Sequence, residues 1–337
     1  MESRVLLIGN FLSRIQGTVG PTELMGQRYR QEGKPVTMAS SKNNKVLRLL
    51  EMSWKTLLGK YDTILIDVYS STALMFANIT SYLAYLRKKK IVLVLHGGGL
   101  ADVYKEKISY IDNLFSRATY IVTPSQFLKN FFVNHGFDVQ YVPNTIKLDL
   151  FTFKKQRPNK HRILWVRAFT KNYNPDVAVR TFNEVLRMYP DATMTMVGPD
   201  KGNLREIVDL IRDLNLEDKI HLTGRVENSK LPEYYQNHDV YLNTTSYESF
   251  GVALLEAAAC GLPIVSTSVG EIPLIWSHGK DILLSKDIVA SELAEQISVL
   301  FEQIELYNTI QLNALKKSRT FSCNSVSGKW NELFGFM

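Results

Sequence analysis

Short apolar runs rich in Val, Ile and Leu recur along the chain, separated by longer stretches in which apolar residues return at helical spacing. The runs predict strands at residues 5–9, 63–67, 91–96, 120–123 and 139–142, and again at 162–166, 193–197, 219–222, 239–243 and 264–267. Strand and helix alternate throughout, as in doubly wound parallel sheets, so the expected class is α/β. Residues 152–160 interrupt the alternation: they are polar, carry Pro158, and read as a linker between two domains at 1–151 and 160–318.

One stretch carries more chemistry than the rest. Residues 239–245 read as a buried strand and 246–249 as a polar loop. From about Gly251 a compact helix runs through Val252, Glu256 and Cys260 to Gly261, with Pro263 beyond it. The amides of Ser249, Phe250, Gly251 and Val252 stand at the N-terminus of that helix, where unpaired donors and the positive dipole end would receive a diphosphate. Glu248 lies just outside the helix and Glu256 about two turns in, roughly 12 Å apart at the helical rise of about 1.5 Å per residue. That is about the reach from a donor sugar across its diphosphate to the ribose, with a carboxylate at each end to accept hydroxyl hydrogen bonds.

The stretch resembles the signature of the retaining glycosyltransferases of family 4, whose two-domain architecture is known as GT-B. The similarity extends to Gly198 in a glycine turn, to Arg225 and Val226 in the loop that meets the donor base, and to residues 231–235, 261–267 and 270–273. It is strong over residues 140–285. The chain departs from the family pattern at Glu271, where a second glycine is usual, and at Leu274, where a glutamate is usual. The resemblance implies two Rossmann-like domains facing across a cleft, the N-terminal one completed by a last helix at about 320–337. It implies a nucleoside-diphosphate sugar as donor, held in the C-terminal domain, and retention at the anomeric carbon by front-face attack without a protein nucleophile. Arg167, at the end of a strand, matches the family's diphosphate-binding arginine, and Lys171 is its expected partner, although residues 172–175 are not the common continuation.

In the N-terminal half the resemblance points to a glycine-bearing loop with Gly17 and Gly20, approaching the donor phosphate and the acceptor, and to His96 beside the transferred sugar. His96 ends an apolar run and enters Gly97, Gly98 and Gly99, which are expected to leave its ring facing open space. A structural hydrogen bond is the plainer role for such a histidine. Asp67 and Tyr69 end an earlier strand and are candidates for acceptor contact, with strand capping the plainer role for Asp67. Ser125 and Asn144 read as structural.

Composition narrows the class further. A chain of 337 residues, 45% hydrophobic and 22% charged, has room for two full cores. Two cysteines, Cys260 and Cys323, cannot make a disulfide framework or a four-ligand zinc site, and the apolar run after Met1 is too short for a signal segment, so a cytoplasmic protein is expected. The chain has no Asp-x-Asp motif; neither a metal nor a cofactor beyond the sugar-nucleotide substrate is expected.

Residues 1–150 hold 19 Lys and Arg against 11 Asp and Glu, which accounts for the whole of the net +7. Lys42, Lys45, Arg48, Lys55 and Lys60 accompany a helix with a broad apolar side that includes Trp54, and Arg87 to Lys90 close another. Either these patches attract anionic lipid headgroups or a lipid-diphosphate acceptor at the membrane, or the apolar side packs on the sheet while the lysines face water. Nucleic acid is not an expected partner, because no binding motif accompanies the charge. The expected function is sugar transfer to a glycan or lipid-linked glycan acceptor in surface polysaccharide or lipopolysaccharide assembly. The alternatives are a non-catalytic scaffold of the same fold or a sugar-nucleotide epimerase.

Overall fold

The computed structural model describes residues 3–11, 20–40, 42–70, 72–97, 99–146, 148–155, 157–158 and 160–336. The chain divides into two units, Met1–Thr145 with Cys323–Met337, and Ile146–Ser322.

The first unit is built on six parallel strands, β1 (Val5–Ile8), β2 (Val36–Ala39), β3 (Thr63–Val68), β4 (Lys90–Leu95), β5 (Tyr120–Thr123) and β6 (Val139–Tyr141), in the order β2-β1-β3-β4-β5-β6. Side chains alternate across the sheet. Leu6, Ile8, Ile64, Ile66 and Leu93 enter one core, and Val5, Leu7, Leu65, Val92 and Val94 enter another. Burial on both faces is why these strands read as unbroken apolar runs. The second core is closed by the helix Cys323–Phe334, which supplies Val326, Trp330 and Phe334. Tyr29 fixes that helix: its hydroxyl donates to Asn331 Oδ1 at 2.8 Å, and its ring meets Phe334 and Phe336 edge-on.

The second unit repeats the scheme with β7 (Arg162–Val166), β8 (Thr193–Val197), β9 (Ile220–Gly224), β10 (Val240–Asn243), β11 (Ile264–Thr267) and β12 (Leu283–Ser285), ordered β12-β11-β10-β7-β8-β9 and again parallel. Ile163, Trp165, Met194, Val240 and Leu242 fill one core; Leu164, Tyr241, Ile264 and the alanines of the helix Val252–Cys260 fill the other. Residues ahead of the polar stretch 152–160 also belong here, since Ile146 and Phe151 are buried in that second core.

Two strands lie outside the sequence expectation, β2 and β12, and both are sheet edges. In each sheet the direction of winding reverses once, between β1 and β3 in the first and between β7 and β10 in the second. At such a reversal the loops leaving the two strands part to opposite faces, and a crevice opens at their carboxyl ends.

Candidate functional site

The reversal in the second unit holds the charged residues. Arg167 follows β7, and Asn243 ends β10 ahead of the loop that carries Glu248. Arg167 Nη2 donates to Glu248 Oε2 at 2.6 Å and Nε donates to Asn243 Oδ1 at 3.2 Å. The guanidinium lies 5.1 Å from the centre of the Tyr173 ring. The two charged side chains are only 10% and 11% exposed. Burial opposes the charge on Arg167, but Tyr241 and Glu248 outweigh it and its pKa is raised above the ordinary value. Nη1 has no protein partner among the described residues.

Backbone geometry explains the residue types around this pair. A Cβ on Gly198 would stand 1.8 Å from the carbonyl oxygen of Arg167, so only glycine lets the turn after β8 pass behind the arginine. Gly251 has φ +82°, left-handed, and from it the helix Val252–Cys260 starts. Glu248 Oε1 accepts from the Phe250 amide at 3.3 Å, and its carbonyl accepts from the Glu271 amide at 2.8 Å. The departure at Glu271 is therefore tied by its backbone to the Glu248 loop. Ser249 is exposed, Phe250 is buried against Phe321, and Val252 is exposed at the mouth of the helix.

Glu256 sits one face deeper. Its Oε2 accepts from the Tyr235 hydroxyl at 3.0 Å. Desolvation pushes its pKa up to about 7, against the pull of the Tyr235 hydrogen bond and the charge of Arg167. Arg225 is exposed just past β9, and Val226 packs against the core beside it.

Lys171 is placed differently from Arg167. It opens the single turn Lys171–Tyr173, is exposed, and lines an open cavity of about 650 Å³ with Asp176, Arg180, Glu206, Asp209 and Asp213. The turn is held by Asn174, left-handed at φ +44°, whose side-chain amide donates to the Thr244 carbonyl at 2.8 Å, and by the Ser246 amide, which donates to Asn172 O at 2.8 Å. These bonds aim Tyr173, not Lys171, at the guanidinium. Sequence reasoning missed Tyr173, Asn243 and Tyr235. Of the three only Asn243 left a signal, as the polar residue closing an apolar strand.

The first unit has its own cavity at the reversal between β1 and β3, about 360 Å³, lined by Gly9, Asn10, Arg48, Asp67, Tyr69 and Ser70 among others. Asp67 Oδ1 accepts from the Thr22 hydroxyl at 2.7 Å and stands 2.9 Å from His96 Nε2. His96 does not face open space, contrary to the expectation. It is 7% exposed and stacks on Tyr69 with ring centres 4.8 Å apart. The cause is register: Val68 pairs with Leu95, so the next residues on the two strands, Tyr69 and His96, fall side by side. Gly20 precedes the helix Pro21–Gln31 and its carbonyl accepts from Leu24; Gly17 lies outside the described residues. Ser125 caps the helix Gln126–Asn134 through the Leu128 amide. Among the described residues, no group of three or more His, Cys, Asp and Glu could hold a metal ion, and no helix is long and apolar enough to cross a membrane.

Residues 149–317, half of the chain, match the family model described as glycosyl transferases group 1. The chain belongs to this family. N-acetyl-alpha-D-glucosaminyl L-malate synthase of Bacillus anthracis is 29% identical over 182 residues, covering 51% of this chain and 47% of that protein. Mannosylfructose-phosphate synthase of Agrobacterium fabrum is 26% identical over 160 residues, 45% of this chain and 35% of that protein. The match thus spans less than half the length of either relative. Among solved structures, Anabaena HepE in complex with UDP and glucose superposes with a TM-score of 0.76 at 16% identity, covering 100% of both chains. Sucrose-phosphate synthase from Thermosynechococcus elongatus gives 0.73 at 16%, covering 99% of this chain and 98% of that one. These likenesses establish the two-sheet α/β fold of GT-B glycosyltransferases.

Proposed function

We propose that the chain transfers a sugar from a nucleoside-diphosphate sugar to a hydroxyl of a glycan or lipid-linked glycan, with retention at the anomeric carbon, at the cytoplasmic face of a membrane where surface polysaccharide is assembled. The observation that carries this reading is Arg167, buried at the reversal of the second sheet beside Glu248 and next to the start of the helix Val252–Cys260. A diphosphate there would meet a guanidinium with Nη1 unspent and the amides that open the helix. Charge growing on the leaving diphosphate would be stabilised by fixed donors that need no reorganisation. Lys171, on its exposed turn, would add charge from outside. Glu256 and Glu248 would accept hydroxyl hydrogen bonds from ribose and sugar, and Arg225 and Val226 would border the base.

UDP is the nucleotide named with the Anabaena neighbour, and a UDP-sugar is the first donor to supply. In the first unit, Asn10, Arg48, Tyr69 and Ser70 around the cavity would take the acceptor, with His96 held in place by Asp67. The test is proton NMR of the reaction with a panel of sugar nucleotides and glycan acceptors. Release of one nucleoside diphosphate and a product with the donor's anomeric configuration is expected. A product of opposite configuration would refute retention, and donor epimerised without an acceptor would refute transfer.

A further inference from the structure

The helix Lys45–Leu58 faces the opposite way to what burial of an apolar side would give. Its inward side is the narrow stripe of Leu49, Met52 and Thr56, of which Met52 and Thr56 are buried. Val46, Leu47, Leu50, Trp54, Leu57 and Leu58 point outward, and they are 67%, 55%, 59%, 68%, 43% and 60% exposed. At 100° per residue these six fall within an arc of roughly 120°, one continuous apolar face. A contiguous exposed apolar face of this kind marks an interaction surface.

The charges say what covers it. Residues 42–60 hold five basic side chains, Lys42, Lys45, Arg48, Lys55 and Lys60, and one acid, Glu51. That acid is already paired with Lys55 at 2.8 Å, and Lys55 also donates to the Met38 carbonyl at 2.9 Å. Arg48 turns toward Asn10, at 2.8 Å. Lys42, Lys45 and Lys60 stay exposed at the two ends of the helix. Arg87 binds the end of the same helix, donating to the carbonyls of Thr56 and Gly59 at 2.9 and 2.8 Å, and so brings exposed Lys88 to that end. Apolar side chains pointing outward between cationic ends suit an interface that is apolar inside and anionic at its surface. A second copy of the chain would set like charges against each other.

We infer that the outward face of the helix Lys45–Leu58 docks on a bilayer containing anionic lipid, with Trp54 and its apolar neighbours entering the headgroup boundary. This deepens the proposed transfer and rests on it for its purpose: the same helix presents Arg48 and Met52 to the cavity that would take the acceptor. A lipid-linked acceptor would then be met at the surface where it resides.

Tryptophan emission tests this directly. Trp165, Trp276 and Trp330 are 0%, 2% and 8% exposed, so a change on binding reports Trp54. With vesicles of phosphatidylcholine and phosphatidylglycerol, the emission should shift to the blue and be quenched by brominated acyl chains. Phosphatidylcholine alone, or raised salt, should weaken the response. Leu50→Glu with Leu58→Glu, both at exposed positions outside the buried stripe, should weaken partitioning by about tenfold or more while the far-UV circular dichroism stays unchanged. No response to anionic vesicles would overturn the inference. So would a blue shift that depends on protein concentration without vesicles, which would mean that a second copy covers the face. Calorimetric binding of nucleoside diphosphates to the same sample separates the two claims: nucleotide binding without vesicle binding removes only the docking, and vesicle binding without nucleotide binding removes only the transfer.

Discussion

Arg167 and Glu248 are two charges taken almost wholly out of water, an arrangement that is stable only when each has further hydrogen-bonding partners. Asn243 and the ring of Tyr173 support the arginine, and the Phe250 amide supports the glutamate. Glu256 is the other carboxyl of the site, half-buried, and its raised pKa, about 7, makes a stability prediction. A carboxyl with a higher pKa in the folded chain holds its proton more tightly there than when unfolded. Folding is then favoured below the ordinary glutamate value, and that contribution is lost as pH rises through about 7. At about 1.4 kcal/mol per unit, the full effect is of the order of 3 kcal/mol. Glu256→Gln should flatten the fall in unfolding free energy between pH 5 and pH 8 seen in urea titrations of the wild type. Equal slopes for the two proteins would mean that Glu256 is ionised in the fold at no cost.

At the scale of elements, strands buried on both faces announced themselves, because runs such as Ile64-Leu65-Ile66 and Ile163-Leu164-Trp165 leave no polar face to confuse with a helix. The edges did not. β2 has Thr37 exposed in its middle, and β12 is three residues long. Helical spacing showed that residues 45–58 have an apolar side, but a spacing cannot say which side the sheet takes. The site was legible where one residue type has one use there. Gly251 and Glu256 stand out as candidates from the helix pattern, and Gly198 and Arg167 through the family resemblance, whereas the ion pair of Arg167 with Glu248 and the cover by Tyr173 arise from loops that meet only in space. Gly198 offers an element-scale test. Gly198→Ala must displace the Arg167 backbone, so turnover should fall by about tenfold or more while the far-UV circular dichroism stays unchanged. Wild-type kinetics in that variant would show that the strand end can yield without moving the guanidinium.

At the scale of the molecule, two parallel sheets each reverse their winding once, and each reversal coincides with polar residues: Asn10, Asp67 and Tyr69 in the first unit, Arg167, Asn243 and Glu248 in the second. The division of labour proposed here, acceptor with the first and donor with the second, follows from that placement and from family membership of residues 149–317. The excess positive charge lies in the first half of the chain, with the outward apolar helix. The central claim is that the second unit binds a nucleoside diphosphate through Arg167. Isothermal titration of UDP, GDP, ADP and dTDP into the wild type and Arg167→Ala tests it most directly. One nucleotide should bind in preference to the others, and Arg167→Ala should weaken it by about tenfold or more, the loss of a charge-assisted diphosphate contact. Equal affinity in the wild type and the variant would contradict the account.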